Sequence, residues 1–306
     1  MSDMKELKSV KIVPYTLMTS SVSAIWGLVL AIILLIFAGA FSAALPSQFS
    51  SFSGFLLGLG VAGLVVFPVG SFLLSITQSF LYALIYNLLV PKLGGIQIEL
   101  VEMKEITKTG VIPFALIVAA VTAVFQFLFQ LVFVPLQYLL IGFAGSMVTA
   151  MASITNSTVP AASMGSLGAF SALGAILNIV LTPIMTFIMV FIGAVIMAAL
   201  YNALAPKLGG IKIELSEKAH GFLGIDSISP VALGLIGGAI AAVFGIIIGI
   251  IFLIILAIAG SALAGLVMLL VFAIFGFIII FIAYALTAVF YNFLASKIGG
   301  FEIKLE

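Results

Sequence analysis

The sequence places one polar pair at three points: Tyr86-Asn87, Tyr201-Asn202 and Tyr291-Asn292, each followed five residues later by a lysine, Lys92, Lys207 or Lys297. A phenol beside a carboxamide can both donate and accept hydrogen bonds. Arranged around an axis, such pairs would form rings able to gate or select a solute. Held between helices, they would join helix to helix and sit in an interfacial belt. The lysines can bind anionic headgroups or simply extend along apolar surface to reach lipid phosphates. Both readings of each group are open from the sequence.

Catalysis lacks its usual groups. The apolar stretches contain no acid, histidine or cysteine, so general acid–base and nucleophilic chemistry have no carrier there. His220 stands alone beside Glu217 and Lys218, in a loop. The absence of cysteine removes disulfides and thiolate metal sites. We therefore expect no catalytic residues, no metal, no cofactor and no enzymatic activity. No phosphate loop, dinucleotide fingerprint or nucleic-acid motif occurs, and a net charge of +1 exerts no pull on nucleic acid. A proton- or sodium-coupled transporter would need an intramembrane carboxylate, and none is present.

Polar amides do occur within the apolar stretches: Gln78, Gln126, Gln130, Gln137 and Asn178. Gln126 and Gln130 are four apart and share a helix face. They could line a polar path or bond neighbouring helices, at about 1 kcal/mol each.

The elements that must carry these residues follow from composition. Of 306 residues, 64% are hydrophobic and 7% charged, against about 25% charged in soluble domains. A span needs about 20 apolar residues. The spacing predicts six transmembrane helices at about 15–40, 61–92, 113–144, 174–207, 231–259 and 266–297, with the apolar run 54–60 as a separate interfacial or re-entrant piece. All charged residues fall at 1–13, 92–108, 207–226 or 297–306. A charge at the bilayer centre costs about 3 kcal/mol on insertion scales, so the lysines share one side, which the positive-inside rule makes cytoplasmic. Localisation in the cell membrane with both termini cytoplasmic is the expectation. The charged first 13 residues, MSDMKELKSVKIV, lead directly into a long apolar run, which reads as a retained span rather than a cleaved leader. Asn156-Ser157-Thr158, in the longest opposite-side loop, is a glycosylation sequon.

The helices come in repeats. YNLLVPKLGGIQIEL (86–100) and YNALAPKLGGIKIEL (201–215) agree at 12 of 15 positions, and the latter agrees with YNFLASKIGGFEIKL (291–305) at 9 of 15. VSAIWG, VTAVFQ and IAAVFG, around Trp26, Phe125 and Phe244, recur after Pro14, Pro113 and Pro230. Three units result, 8–100, 107–215 and 224–306. The expected fold is an all-α integral membrane protein of three parallel two-helix repeats, each ending in a short cytoplasmic β-strand, with pseudo-threefold symmetry about the membrane normal. Pro68 and Pro183, each 18 residues before the tyrosine, favour a bend in the second helix. Gly94-Gly95, Gly209-Gly210 and Gly299-Gly300 read as helix C-termini with a left-handed residue, and the lysines before them complement the helix dipole. Ile96-x-Ile98-x-Leu100 and its two counterparts have the period of a half-buried strand, as does Val10-x-Ile12. Leading and trailing strands are expected to pair in a small β-cap beneath each unit. Gly234-x-x-x-Gly238 and Gly245-x-x-x-Gly249 predict close helix packing in the third unit.

At these unit ends the sequence resembles a two-helix transmembrane domain of unknown function found in actinobacterial and archaeal membrane proteins. That domain begins with a proline-containing segment such as IDPxS and closes in a tail like IYNxxxxxxGGIxVxL. IDSISPVAL (225–233) is similar to the first, and the three YN…GG segments to the second. The resemblance covers nearly the whole chain in triplicate, where members typically carry one copy. It implies a fold and a membrane location, with no activity attached. A looser likeness, a helix end followed by LLGG, runs to lipid-processing and trafficking proteins of the Yip type.

Two functions fit. One is a membrane scaffold or assembly protein acting through membrane lipids, a membrane-protein partner or its own copies. The other is a passive channel or uncoupled carrier for a neutral or lipidic solute at the repeat interface, with Tyr86, Asn87, Lys92, Tyr201, Asn202, Lys207, Tyr291, Asn292 and Lys297 as pore or lipid-contact residues.

Overall fold

The computed structural model describes residues 2–155 and 172–306. The sequon at Asn156 lies outside the described residues. Six long helices carry the apolar sequence: α1 (Ile12–Ala44), α2 (Ser50–Leu93), α3 (Val111–Ile154), α4 (Ala172–Leu208), α5 (Pro230–Ile258) and α6 (Ala262–Ile298). All six are long and apolar enough to cross a membrane, and the chain is a multi-pass membrane protein. Their lipid-facing surface is dense in exposed leucine, isoleucine, valine and phenylalanine, which only a hydrocarbon solvent accommodates.

Two helices are longer than their sequence suggested. At 1.5 Å per residue, the 44 residues of α2 extend about 66 Å. The run 54–60 is the first part of α2 rather than a separate piece. Packing on α1 explains this: a Cβ on Gly60 would meet the Leu35 side chain at 2.8 Å, so the bare glycine lets the two helices close up. Helix α3 continues past residue 144 to Ile154, and its hydroxyls there are satisfied by the preceding turn, Ser146 donating to the Phe143 carbonyl at 2.7 Å and Ser153 to that of Ala150 at 2.7 Å. Pro68, Pro135 and Pro183 all lie within helices that run on past them.

Each helix packs foremost on its hairpin partner. In the α5–α6 pair the glycine pattern acts as expected. A Cβ on Gly234 would stand 2.8 Å from the Phe281 carbonyl oxygen, and one on Gly249 2.5 Å from the Leu269 Cα. Neighbouring hairpins touch through α2–α3, α4–α5 and α6–α1. The last contact brings the end of the chain back to its start. The Trp26 indole donates to Thr287 Oγ1 at 3.1 Å, and its ring meets Phe290 edge-on at 5.5 Å.

The charged segments fold into six strands: β1 (Ser2–Val10), β2 (Ile96–Val101), β3 (Glu105–Thr109), β4 (Ile211–Glu217), β5 (Leu223–Ile228) and β6 (Glu302–Leu305). They form one closed barrel in chain order, every neighbour antiparallel, with β6 pairing back to β1. This replaces the separate caps expected beneath each unit. A two-stranded cap would have two open edges, whereas closure removes them all. The alternation read at Val10-x-Ile12 also shifts: the strand is Ser2–Val10, and Ile12 opens α1. Each seam between consecutive units carries a bulge at an equivalent place, with Lys8, Thr107 and Asp226 as the skipped residues. A bulge bends its strand and increases the twist, which six short strands need in order to close.

Candidate functional site

The recurring residues meet where the helices run into the barrel. Tyr86, Tyr201 and Tyr291 are buried, near the ends of α2, α4 and α6. Each hydroxyl reaches the leading strand of its own unit. Tyr86 donates to the Leu7 carbonyl at 2.6 Å, Tyr201 to that of Ile106, and Tyr291 to that of Ile225 at 2.6 Å. The same oxygens accept from the start of each trailing segment, from the N–H of Ile96 at 3.2 Å, Ile211 at 3.4 Å and Phe301, just before β6, at 2.9 Å. One phenol thus ties the two strands of a unit together and fixes both to the helix.

The asparagines complete the clamp. Asn87 Oδ1 accepts from the Val10 N–H at 2.9 Å, while Nδ2 donates to the Val10 carbonyl at 2.8 Å. Asn202 brackets Thr109 at 2.8 Å on both sides. Asn292 does the same to Ile228, at 2.8 and 2.9 Å. A carboxamide presents one acceptor and one donor with the spacing of a neighbouring strand, so it supplies the rungs a helix could not. Both functional groups of all three asparagines are therefore engaged with strand backbone. Lys92, Lys207 and Lys297 occupy the last turns of the same helices and are exposed. The structure brings tyrosine and asparagine together and leaves the lysines on the outer surface.

The glycine pairs make this approach possible. Gly94, Gly209 and Gly299 have φ of 82°, 87° and 82°. Their positive sign was expected, but ψ is 157° at Gly94 and 151° at Gly299. The residue is thus not the left-handed helical cap foreseen: it occupies an extended region essentially restricted to glycine, because the chain must pass straight from helix to strand. The second glycine lies against the carbonyl that the tyrosine bonds. A Cβ on Gly95, Gly210 or Gly300 would stand 3.0, 2.8 or 2.9 Å from the carbonyl carbon of Leu7, Ile106 or Ile225, and nearer still to the oxygen.

Two carboxylates belong to this site that the sequence reading missed. Glu6 Oε1 accepts from the Gly95 N–H at 2.6 Å, and Glu105 Oε1 from the Gly210 N–H at 2.6 Å. The available signal was spacing, since each stands eight residues before the leading proline, Pro14 or Pro113. In the third unit the residue before the tyrosine-bonded carbonyl is Gly224, six rather than eight residues before Pro230. Lys8, hydrogen-bonded to Glu6 at 2.8 Å, and then the Gly95 amide hold the Glu6 carboxyl below its usual range. A lowered carboxyl pKa stabilises the fold above the ordinary carboxylate range, about 4.3, and that contribution is lost as pH falls through the lower folded value. Acidification through this window is expected to loosen the Gly95 turn before the Gly300 turn. Amide exchange protection at the two glycines, corrected for intrinsic rates, checks it; equal loss at both would count against it.

Ion pairs add links across seams, Lys11, between β1 and α1, to Glu302 of β6 at 2.5 Å, and Lys108 of β3 to Glu99 of β2 at 3.2 Å. Both lysines are about half exposed, which limits such pairs to ~1 kcal/mol or less. Within the spans, Gln130 Nε2 donates to Asn178 Oδ1 at 3.2 Å, joining α3 to α4, and Thr182 donates to the same oxygen at 2.7 Å. This pair is placed as helix-to-helix glue. Gln78 instead borders an open groove of about 490 Å³ with Ser23, Trp26, Ser71 and Ser75. His220 is exposed at φ 62° in the turn between β4 and β5. Among the described residues, no group of three or more histidine, aspartate or glutamate side chains could hold a metal.

An apolar chamber of about 420 Å³ lies under the barrel, between α4 and α5, with Met197, Ile240 and Phe244 among its walls. A smaller one, about 230 Å³, occupies the corresponding place between α2 and α3. Comparison of the chain with protein-family models, with curated proteins and with solved structures returns no match.

Proposed function

We propose that the protein is a non-enzymatic membrane scaffold of three tandem two-helix units, set parallel around an axis normal to the plasma membrane. The barrel and both termini face the cytoplasm, and the scaffold acts through membrane lipids or a membrane-protein partner. The observation that carries this reading is the clamp itself. The polar groups most able to line a path, Asn87, Asn202 and Asn292, are engaged at both ends with strand backbone. The most strongly recurring chemistry of the chain therefore serves to lock three hairpins onto one rigid cap. The confinement of every charge to the barrel side supports the cytoplasmic orientation. The recurrence of Tyr-Asn, Gly-Gly and strand in each unit supports descent from the two-helix domain that the sequence resembles.

A second reading, an uncoupled carrier of a lipidic solute, is favoured by the apolar chamber, to whose lining all three units contribute. Reconstitution in liposomes separates the two. The scaffold releases no more trapped glycerol, potassium or short-chain fatty acid than protein-free vesicles do. Release by folded, correctly inserted protein would overturn the scaffold in favour of the channel or carrier.

A further inference from the structure

The three seams between hairpins can be compared position by position. Tyr82, Met197 and Thr287 each stand four residues before the clamp tyrosine, and Trp26, Phe125 and Phe244 occupy the matching place on the following hairpin. At the α2–α3 seam, Tyr82 stacks on Phe125 with centroids 4.8 Å apart. At the α6–α1 seam, Trp26 fills the space and bonds Thr287. At the α4–α5 seam the pair is Met197 and Phe244, and both border the 420 Å³ chamber. The wall opposite is also reduced. Val118 and Thr122, seven and three residues before Phe125, line the smaller chamber, whereas Gly237 and Ala241 hold those places before Phe244. Met197 and Ala241 are smaller or more pliable than Tyr82 and Thr122 at the equivalent positions, while the place of Gly237 is taken by the Tyr284 ring, 2.2 Å from where a Cβ would stand.

We propose that the chamber between α4 and α5 holds one hydrocarbon chain of a bilayer lipid. No charged side chain lines it. Of its three polar side chains, Thr109 Oγ1 donates to the Gln97 carbonyl at 3.0 Å and Tyr201 to that of Ile106, so neither calls for a polar guest, and Tyr284 is 40% exposed and lays its ring against Gly237. A cavity lined mainly by apolar side chains holds water poorly, and walls facing a void lose their dispersion contacts. The solvent around these helices is hydrocarbon, and Met197, one of the walls, is 37% exposed. The volume falls within the range of ligand sites, roughly 300–1,000 Å³. A lipid tail supplies the missing contacts without any desolvation cost. This deepens the scaffold reading by naming the lipid contact, and it rests on that reading's membrane orientation alone.

The full chain is reconstituted in phosphatidylcholine vesicles, a fraction of the lipid carrying a diazirine midway along one acyl chain, and adducts are mapped after photolysis. Adducts are expected to concentrate on Met197, Ile240 and Phe244 above the level at Ile247 and Met189, apolar residues exposed on the same helices. Met197→Tyr rebuilds the stacked pair of the α2–α3 seam. It should bring chamber adducts down to the Ile247 level while leaving Ile247 itself unchanged. Ala241→Leu fills the same space from the other wall and carries the test if Met197→Tyr does not fold. Chamber adducts at background in the unsubstituted protein, or unchanged in the filled variants, would overturn the proposal. Vesicle release is read separately, so failure here leaves the scaffold reading standing.

Discussion

Gly210→Ala is expected to cost about 4 kcal/mol or more, the range reached by substitutions with a severe backbone conflict. The added methyl would lie 2.8 Å from the Ile106 carbonyl carbon and 3.1 Å from Glu105 Cγ. Neither strand can retreat, because the Ile106 oxygen is held by Tyr201 and the barrel is closed on both sides. Gly95→Ala and Gly300→Ala meet the same obstacle at Leu7 and Ile225 and should behave alike. The measurement is the thermal unfolding midpoint in detergent, with the yield of monodisperse protein as a second reading. Gly142→Ala provides the contrast. Nothing lies within 4 Å of a Cβ there, and the residue is inside α3, so alanine should leave stability unchanged or raise it by up to about 1 kcal/mol. Equal behaviour of Gly142→Ala and Gly210→Ala would remove the close approach as the reason for the glycine pair.

Asn202→Leu keeps the side-chain size and removes both rungs to Thr109. The Thr109 N–H and carbonyl lose their partners where β3 gives way to α3. An unsatisfied buried backbone group costs about 1–3 kcal/mol, so about 2–5 kcal/mol is expected for the pair. Asn87→Leu and Asn292→Leu remove the equivalent bonds at Val10 and Ile228. Tyr201→Phe should be milder, because it deletes the hydroxyl but keeps the buried ring. The check is the same unfolding midpoint, joined by amide exchange at residue 109, which should lose protection in Asn202→Leu and keep it in Asn87→Leu. A channel-lining asparagine would show the opposite profile, with stability unaffected and solute release altered.

The sequence made the spans legible because a bilayer enforces a simple rule: charges stay out and about 20 apolar residues cross. It also marked the clamp, since Tyr-Asn and Gly-Gly recur at fixed spacing, but not what the clamp holds. The Val10, Thr109 and Ile228 backbones that the asparagines engage lie 77, 93 and 64 residues away in the chain. No local pattern encodes such a distance. Helix ends were harder to read. The run 54–60 packs on Leu35 as part of α2, and residues 145–154 continue α3 although their serines, glycine and threonine read as a loop. Glu6 and Glu105 went unnoticed because a glutamate in a charged segment looks solvated until the Gly95 and Gly210 amides are seen beside it.

By itself, then, the sequence determined the membrane solvent, the six spans and the threefold repetition, since each depends on composition and spacing along the chain. Only the tertiary structure decided that six short strands close into one barrel. Pairing partners and seam bulges are non-local, and closure is favoured because it leaves no strand edge without a neighbour. The tertiary structure likewise decided that the α4–α5 seam is open where its two counterparts are filled. That difference comes from Met197 standing at the chamber where Tyr82 stacks on Phe125 at the α2–α3 seam, a substitution whose effect neither helix registers alone.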